Sequence, residues 1–346
     1  MEMQTLLDKM LSDGLARGCF PGAVAACGCG RETLALSTVG RIALDGPEVN
    51  RATRYDMASL TKVLAPTMIA FQAIQDGVIT LYDTLESWFE DVPEDKKQIT
   101  VFQLMTHTAG FTPSFRLDQT VDSPKKALGA ILHSQLISKP GERPNYSCMG
   151  YITLGKLLEK AYGESLDILS RRLVFDSLGM PDTGYLPQGG NIAATEVDPV
   201  TRVAWQGTVH DENARFLGGV SANAGVFSCI DDMLTFASML ARGGDGYIVP
   251  SLLKKATCNY TPGFDEHRGL GFHLAGTEFN FMGDLFPACS FGHTGFTGTS
   301  LAIDPTTGFY VILLSNRVHP TRENFNLFRF RRTLHNALHA AFEKRA

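Results

Sequence analysis

The hydrophobic pattern that follows residue 58 is typical of a helix. Between Ser59 and about Gly77, apolar side chains recur at steps of three and four residues. They are Leu60, Val63, Leu64, Met68, Phe71 and Ile74. This period places them on one face of an α-helix, so we expect a helix that buries one side. Pro66 lies inside this helix, and because a proline removes a backbone hydrogen bond, it should bend the helix there.

Strand patterns lie on both sides of this helix along the chain. The stretches FPGAVAACGCG (20–30) and ETLALSTVGRIAL (32–44) predict two strands joined by a turn at Gly30 and Arg31. Near the other end, residues 290–316 predict strand, turn at DPTTG and strand, the pattern of an antiparallel hairpin, and a C-terminal helix follows.

Between these regions the periods are mostly helical. Stretches such as TVFQLMTHTAG, MGYITLGKLLEKAYG and SLDILSRRLVF each fit a helix. The sequence therefore predicts an α+β protein with an antiparallel sheet flanked by helices, into which a helical unit is inserted. We expect a discontinuous sheet domain of residues 1–76 and 216–346 and a helical domain of residues 77–215.

Composition narrows the class of protein and its partners. The chain has 346 residues, of which 44% are hydrophobic and 19% are charged, enough to bury a large core. A net charge of -5 gives no basic excess for binding phosphates, so nucleic acid is not an expected partner. The N-terminal stretch is amphipathic rather than a continuous apolar run, and no later run reaches about 18 apolar residues. We expect a cytoplasmic protein without membrane insertion; its oligomeric state is left open.

The sequence predicts neither a cofactor nor a metal site. The seven cysteines are odd in number and scattered, which favours reduced thiols over a disulfide framework. The stretch GCGRET lacks the third glycine of a dinucleotide-binding loop. His335 and His339 lie four apart on the last helix but lack the glutamate of H-E-x-x-H, so we expect them on a solvated face. His107 and the pair His210-Asp211 are interpreted as structural.

Ser59 and Lys62 form an S-x-x-K pattern at the start of the first predicted long apolar helix. The same pattern occurs at Ser123 and Ser251, where a serine beside a proline is explained by a helix start. Lys62 follows Ser59 by one turn on the same helix face, so it should be partly desolvated. A free lysine is neutral in only about one molecule in a few thousand at pH 7, so it needs a depressed pKa to act as a base. On these residues alone, Ser59 is either a nucleophile or a helix cap.

Two more motifs follow in the chain. Tyr146-Ser147-Cys148 precedes a predicted helix, and His293-Thr294-Gly295 lies on a predicted strand. In this order, the three stretches resemble the S-x-x-K, Y-x-N and K/H-T-G motifs of the serine β-lactamase and penicillin-binding protein superfamily. Stretches such as LMTHTAGF and VHDENARFLGG are similar to its class C-like esterase branch, and the resemblance covers nearly the whole chain. It implies a β-lactamase-like fold with the active site in the cleft between the two domains.

The resemblance also implies a role for each residue of the reaction. Ser59 would attack a carbonyl carbon and form an acyl-enzyme, while Lys62 and Tyr146 would share the transfer of its proton. Which of these two is the base is left open. The backbone N–H groups of Ser59 and Phe296 would form the oxyanion hole.

The residues expected to bind substrate are His293, Thr294, Gly295 and Cys148, and two of them depart from the family pattern. Where many members carry lysine to hold a carboxylate, this chain has His293, which is charged only about a quarter of the time at pH 7. The asparagine of Y-x-N is replaced by Cys148, which is only a weak donor. Both changes remove polar recognition of peptide-like substrates.

These departures favour a carboxylesterase that acts on short-chain or neutral acyl esters, with weak or no β-lactamase activity. A D-amino-acid peptidase or amidase, or a β-lactamase, would use the same residues in the same roles. A catalytically silent sensor or self-assembling scaffold is the alternative outside catalysis. The expected partner is a small-molecule ester or amide substrate.

Overall fold

The structure is a computed structural model that describes residues 2–278 and 280–345. Its α-helices are α1 (Met3–Ala16), α2 (Thr61–Leu64), α3 (Pro66–Gln75), α4 (Leu85–Trp88), α5 (Val101–Met105), α6 (Leu117–Thr120), α7 (Ala127–Leu132), α8 (Cys148–Tyr162), α9 (Leu166–Ser170), α10 (Asp176–Leu178), α11 (Glu212–Phe216), α12 (Ile230–Ala241), α13 (Pro250–Ala256) and α14 (Asn326–Glu343). Short 3-10 helices span Ala58–Leu60 and Pro124–Lys126, and a π-helix spans Arg171–Phe175.

Six strands form one antiparallel sheet. The strands among the described residues are β1 (Gly22–Cys29), β2 (Glu32–Gly40), β3 (Tyr55–Asp56), β4 (Gly184–Tyr185), β5 (Val226–Ser228), β6 (His273–Leu274), β7 (Phe291–Thr294), β8 (Ser300–Ile303) and β9 (Phe309–Ser315). The large sheet has the order β2-β1-β9-β8-β7-β6. The predicted hairpin of β1 and β2 is confirmed, with Ala25 opposite Ser37. The C-terminal region holds three strands rather than two, because a turn at 295–299 separates β7 from β8.

Strand β1 is buried on both faces because helices cover both sides of the sheet. Its odd residues Ala23 and Ala25 pack with the cluster that includes residues of α1 and α14. Its even residues Val24 and Ala26 pack with the larger cluster that includes α3, α8 and α12. Since neighbouring side chains on a strand point to opposite faces, one apolar strand serves two cores.

A second, small sheet has the order β3-β5-β4, and its strand β3 shortly precedes the S-x-x-K segment in sequence. Strand β4 comes from residues 77–215, whereas β3 and β5 come from the two parts of the proposed sheet domain. The division into residues 1–76 with 216–346 and residues 77–215 stays a prediction, and this small sheet crosses it.

The predicted helix from Ser59 to Gly77 is bent at Pro66, as expected. The α-helical backbone is interrupted at Ala65, which has φ -120° and ψ -82°, and α3 then begins at the proline. The prediction of a single buried side is wrong, because every residue from Leu60 to Phe71 is buried. The segment lies inside the larger core, so its polar residues, Lys62 among them, are enclosed as well.

The expectation of a solvated face for His335 and His339 is also wrong. Their exposed fractions are 0% and 2%, because the side of α14 that carries them packs on the sheet beside Phe286 and Phe309. All seven cysteines are free thiols, as predicted. Across residues 2–278 and 280–345, none of the helices combines the length and the apolar character needed to cross a bilayer.

Candidate active site

Ser59 is presented by a strained backbone. Ala58, directly before it, has φ 46°, a left-handed conformation that costs a residue with a Cβ roughly 1–2 kcal/mol. The buried carboxylate of Asp56 accepts a hydrogen bond from the Ala58 N–H at 2.8 Å and so holds this conformation. The side chain of Ser59 is half-buried, whereas the residues from Leu60 to Phe71 are enclosed in the core. Such strain is concentrated at functional sites.

Lys62 connects the first two motifs. Its side chain is fully buried, and Nζ donates to Ser59 Oγ at 3.1 Å and to the carbonyl oxygen of Asn223 at 2.9 Å. Nζ also lies 3.6 Å from Cys148 Sγ and 4.8 Å from the centre of the Tyr146 ring. The structure thus brings together the serine, the lysine and the tyrosine that the sequence predicts as the reacting groups.

Lys62 is a cation in this arrangement. Burial lowers its pKa, but Cys148, Tyr146 and Asp211 raise it by more, so the pKa of Lys62 lies above its ordinary value. The depressed pKa that a lysine base would need is therefore not found. Burial also raises the pKa of the Tyr146 phenol, although its contacts with Lys62 lower it in part. A negative charge on Tyr146 raises the pKa of Lys62, and the positive charge of Lys62 lowers that of Tyr146, so the charged forms of the two groups stabilise each other.

His107 positions the second motif. Its Nδ1 accepts a hydrogen bond from the Ser147 N–H at 3.0 Å, and its ring lies 4.5 Å from the Tyr146 ring, centre to centre. Burial, followed by Arg268 and Lys62, lowers the pKa of His107 well below its ordinary value, so the imidazole is neutral and can accept this bond. The structural interpretation of His107 is supported, and its contacts explain which group it orients.

The third motif is fastened to the backbone ahead of Ser59. A Cβ on Gly295 would lie 2.4 Å from the Met57 carbonyl oxygen, so only glycine permits this approach. Two threonines of the turn donate to the same segment: Thr297 Oγ1 to Asp56 O at 2.6 Å and Thr299 Oγ1 to Met57 O at 3.2 Å. This turn therefore sets the position of Phe296 relative to the serine.

Ser59, Tyr146 and residues 293–296 line one cavity of about 360 Å³. Within the described residues, neither the Ser59 N–H nor the Phe296 N–H donates a hydrogen bond to the protein. Two unused backbone donors beside a half-buried serine are what an oxyanion hole requires. Cys148 begins α8 next to Lys62 but does not line the cavity.

His293 is a neutral imidazole. Burial lowers its pKa well below the ordinary value, and Arg268 and Lys62 lower it further. In the neutral ring, Nδ1–H can donate to the carbonyl oxygen of Thr294, which lies 2.8 Å away. His293 therefore carries even less charge than its free pKa suggests and does not replace a carboxylate-binding lysine.

Sequence reasoning missed three arginines of this cavity. Arg268, Arg317 and Arg331 line it together with Ser59, and the Arg268 guanidinium lies 5.1 Å from the centre of the Tyr146 ring. None of the three belongs to a recognised motif. The one signal in the sequence was the position of Arg317. It follows the apolar strand β9 with only Asn316 between them, which is an unusual place for a charge.

Residues with metal-binding side chains come together away from this cavity's lining. Ligand atoms of Asp182, Cys229 and Asp232 lie within 4.8 Å of one another. The Asp232 carboxylate already accepts hydrogen bonds from the Asp182 N–H at 2.9 Å and from Thr183 Oγ1 at 2.7 Å. These bonds explain why the carboxylate is buried, so we assign no metal here.

Comparison with known proteins identifies the family. The family model described as Beta-lactamase matches residues 7–335. The chain belongs to the beta-lactamase family. It is thus a serine hydrolase of the β-lactamase and penicillin-binding protein group, as the three ordered motifs indicated.

Relatives of this beta-lactamase family member carry different names. A protein of Escherichia coli (strain K12), provisionally named D-alanyl-D-alanine carboxypeptidase, is 30% identical over an alignment 339 positions long, which covers 84% of this chain and 76% of the relative. The solved structure of EstCE1, a hydrolase with promiscuous acyltransferase activity, superposes with a TM-score of 0.79 at 20% identity, covering 98% of both chains. An octameric penicillin-binding protein homologue from Pyrococcus abyssi gives a TM-score of 0.74 at 19% identity, covering 93% of this chain and 75% of that one. These likenesses confirm the β-lactamase-like fold.

Proposed function

We propose that the protein hydrolyses its substrate through an acyl-enzyme on Ser59. The observation that carries this proposal is the 3.1 Å contact between Lys62 Nζ and Ser59 Oγ, inside a cavity that Tyr146 also lines. A serine hydroxyl is a poor nucleophile unless a base lies within hydrogen-bond reach. The N–H groups of Ser59 and Phe296 would bind the oxyanion that forms when the serine attacks the carbonyl carbon.

We assign the role of base to Tyr146 in its phenolate form. Lys62 is a cation that donates to Ser59 Oγ, so it has no lone pair with which to accept the serine proton. The same charge favours a phenolate on Tyr146, which has contacts with both residues. Tyr146 would take the Ser59 proton during attack and return it to the leaving group, while Lys62 stabilises the phenolate.

For the substrate, we propose a short-chain acyl ester, which makes the protein a carboxylesterase. The neutral His293 and the thiol in place of the motif asparagine both weaken recognition of a β-lactam or a peptide. A D-alanyl carboxypeptidase is the second candidate, because the 30% identical relatives bear that name. Both activities begin with the same acylation of Ser59.

Acylation can be tested by intact mass spectrometry after exposure to p-nitrophenyl acetate, p-nitrophenyl butyrate, a D-alanyl-D-alanine peptide and a penicillin. We expect ester turnover and a single acyl adduct that S59A abolishes. The matched control is S123A, which removes the serine of another S-x-x-K pattern at an exposed helix start and should keep full activity.

Two results would redirect the proposal. Faster cleavage of the D-alanyl peptide or of a chromogenic cephalosporin than of the esters would replace the esterase by a peptidase or a β-lactamase. If neither esters, peptides nor a fluorophosphonate probe modify Ser59, the protein is not a hydrolase through this residue, and the sensor or scaffold alternative is favoured.

A further inference from the structure

Asn223 holds the ammonium group of Lys62 through its backbone. Its carbonyl oxygen accepts a hydrogen bond from Lys62 Nζ at 2.9 Å, and the residue is 0% exposed. Both polar atoms of its side chain are engaged as well: Nδ2 donates to Asp211 Oδ1 at 3.0 Å, and Oδ1 accepts from Ser221 Oγ at 2.6 Å. A side chain held at both polar atoms restrains the turn that directs the Asn223 carbonyl oxygen towards Lys62.

Asp211 serves two segments with one oxygen atom. Besides the bond from Asn223, its Oδ1 accepts a hydrogen bond from the Ala214 N–H at 2.8 Å, which caps α11. Capping is achieved equally well by serine or asparagine. The bond to a buried amide 12 residues further along the chain is not part of the cap. Burial lowers the pKa of Lys62, and the carboxylate of Asp211 is among the charges that raise it.

The preceding residue, His210, supports the segment of the nucleophile. Its N–H donates to Asp56 Oδ2 at 2.7 Å, and the same carboxylate holds the strained backbone before Ser59. The His210 ring stacks on Phe296, with 5.7 Å between the ring centres. The structural interpretation of the pair His210-Asp211 is supported, and the segments that the pair braces are those of the active site.

We infer that Asp211 is a positioning residue for the reaction: through the side chain of Asn223 it holds the Lys62 ammonium group beside Ser59 Oγ. This inference rests on the proposed acyl-enzyme mechanism, in which Lys62 stabilises the phenolate of Tyr146. Without the carboxylate oxygen, the buried Nδ2 of Asn223 loses its acceptor, which is unfavourable. The turn would then rearrange, and the carbonyl oxygen that orients Lys62 would move with it. A displacement of a reacting group by about 1 Å is enough to reduce a rate about 100-fold.

Two substitutions of Asp211 separate capping from positioning. D211N keeps an oxygen at the position of Oδ1, so it should cap α11, accept from Asn223 and retain kcat/KM for p-nitrophenyl butyrate within about threefold. D211S also caps α11, but its hydroxyl lies one bond closer to the backbone and loses Asn223. We expect D211S to reduce kcat/KM at least about tenfold while it keeps the circular dichroism of the wild type.

The matched control is D198S. The Asp198 carboxylate also accepts hydrogen bonds from backbone N–H groups, those of Val200 at 2.9 Å and Thr201 at 2.7 Å, but it does so in a surface loop. The same change from aspartate to serine should therefore leave the rate unchanged there.

A double substitution tests whether Asp211 acts through Asn223. N223A removes the amide, so D211S/N223A should be no slower than N223A within about twofold, whereas an independent effect on the fold would add to the loss. S221A removes the other bond of the Asn223 amide and should reduce the rate at least about fivefold. It tests the same link should D211S not fold.

The ammonium group of Lys62 provides a readout that does not need activity. In ¹⁵N-lysine-labelled protein, a buried ammonium held by fixed acceptors exchanges its protons slowly and gives a resolved NMR signal, which K62R identifies. We expect this signal in the wild type and in D211N, and its shift or loss in D211S.

Full activity with an unchanged Lys62 signal in D211S would overturn the inference. Equal losses of activity in D211N and D211S would also overturn it, because the charge and not the held position would then matter. If the wild type hydrolyses no ester, the proposed hydrolysis fails, and the Lys62 signal in D211N and D211S decides about the positioning by itself.

Discussion

At the scale of single residues, the charge state of the site decides how the serine can be activated. Lys62 has an ammonium group fixed by Ser59 Oγ and the Asn223 carbonyl oxygen, and its neighbours raise its pKa despite burial. The phenol of Tyr146 is likewise kept protonated, because burial raises its pKa above 10. The reactive form, an ammonium beside a phenolate, is therefore a minor species at neutral pH.

This assignment predicts how the rate depends on pH. Because the pKa of Tyr146 is raised from 10, the phenolate fraction grows about tenfold per pH unit throughout the range below it. We expect log kcat/KM for p-nitrophenyl butyrate to rise with a slope near one from pH 7 to about pH 9.5, after subtraction of spontaneous hydrolysis. Y146F should lose at least about 100-fold, the usual effect of removing a general base.

The control is Y151F, because Tyr151 is another buried tyrosine near the same ammonium, 5.7 Å from its ring centre to Lys62 Nζ. Its hydroxyl interacts with Thr67 and the Met105 carbonyl oxygen rather than with Ser59, so the variant should stay within a few-fold of the wild-type rate. A plateau in kcat/KM from pH 6 to pH 8, or a Y146F variant with full activity, would exclude Tyr146 as the base.

The sequence was sufficient to predict that Ser59, Lys62 and Tyr146 would meet, because three short motifs in a fixed order have local patterns that can be recognised. It could not predict the charge of Lys62, which depends on neighbours from distant segments such as Asn223. Arg317 and Arg331 could not be predicted either, since a buried arginine that is held by backbone carbonyl oxygens leaves no repeating pattern along the chain.

At the scale of elements, the turn between β7 and β8 holds the serine in position. Thr297 and Thr299 donate to the carbonyl oxygens of Asp56 and Met57, and Gly295 packs against the same backbone. These contacts join the end of strand β7 to the strained backbone that precedes Ser59. The two N–H groups of the proposed oxyanion hole lie on these two joined segments.

Substitution of Gly295 by alanine should separate the two segments. The added Cβ would lie 2.1 Å from Thr299 Oγ1 and 2.4 Å from Met57 O, and the carbonyl belongs to the backbone and cannot rotate away. We expect a loss of about 1–3 kcal/mol in the free energy of unfolding, as for other overpacked sites. Ester hydrolysis should fall at least about tenfold, because the oxyanion donors move apart.

Urea unfolding and kcat/KM measured on the same preparation would check this expectation. G129A is the matched control: Gly129 lies within α7, and a Cβ there meets no atom within 4 Å. Alanine should stabilise that helix by about 0.5–1 kcal/mol without any change in rate. Unchanged activity in G295A would show that this contact does not position the oxyanion hole.

Strands and turns with a simple sequence pattern could be predicted. The full burial of a segment that is enclosed on all sides could not. The two strand-like stretches, of which β1 is a short apolar run, and the turn at Gly30 were sufficient to predict the first hairpin. The segment from Leu60 to Phe71 is buried on all sides, but its pattern predicted one buried face because the polar residues Thr61, Lys62 and Thr67 interrupt the apolar run. The same reason misplaced His335, a polar residue on the buried face of α14.

For the whole molecule, burial of ionisable groups makes stability depend on pH. Burial lowers the pKa of His335 to about 3, helped by Arg331, and lowers the pKa values of His107 and His293 well below 6.5. Below about pH 6.5 these histidines bind protons in the unfolded chain but not in the folded chain. The free energy of unfolding therefore decreases as the pH falls. Asp56 acts in the opposite sense between pH 3.8 and about 6, because burial raises its pKa to about 6. His210 and His273 also have lowered pKa values, and Asp232 has a raised one, so five histidines against two carboxyls leave a net loss on acidification.

His335 offers a direct test of this balance, because it is fully buried and is not among the residues that line the cavity at Ser59. Each such proton contributes about 1.4 kcal/mol per pH unit between the unfolded and folded pKa values. We expect wild-type stability, measured by urea unfolding, to decrease from pH 7 to pH 5, and H335L to reduce that decrease by about 1–2 kcal/mol. H133Q is the control, since the His133 side chain is 52% exposed, and it should follow the wild-type curve. Parallel curves for H335L and wild type would mean that the folded protein takes up the proton at His335 and that the acid sensitivity comes from the cavity histidines instead.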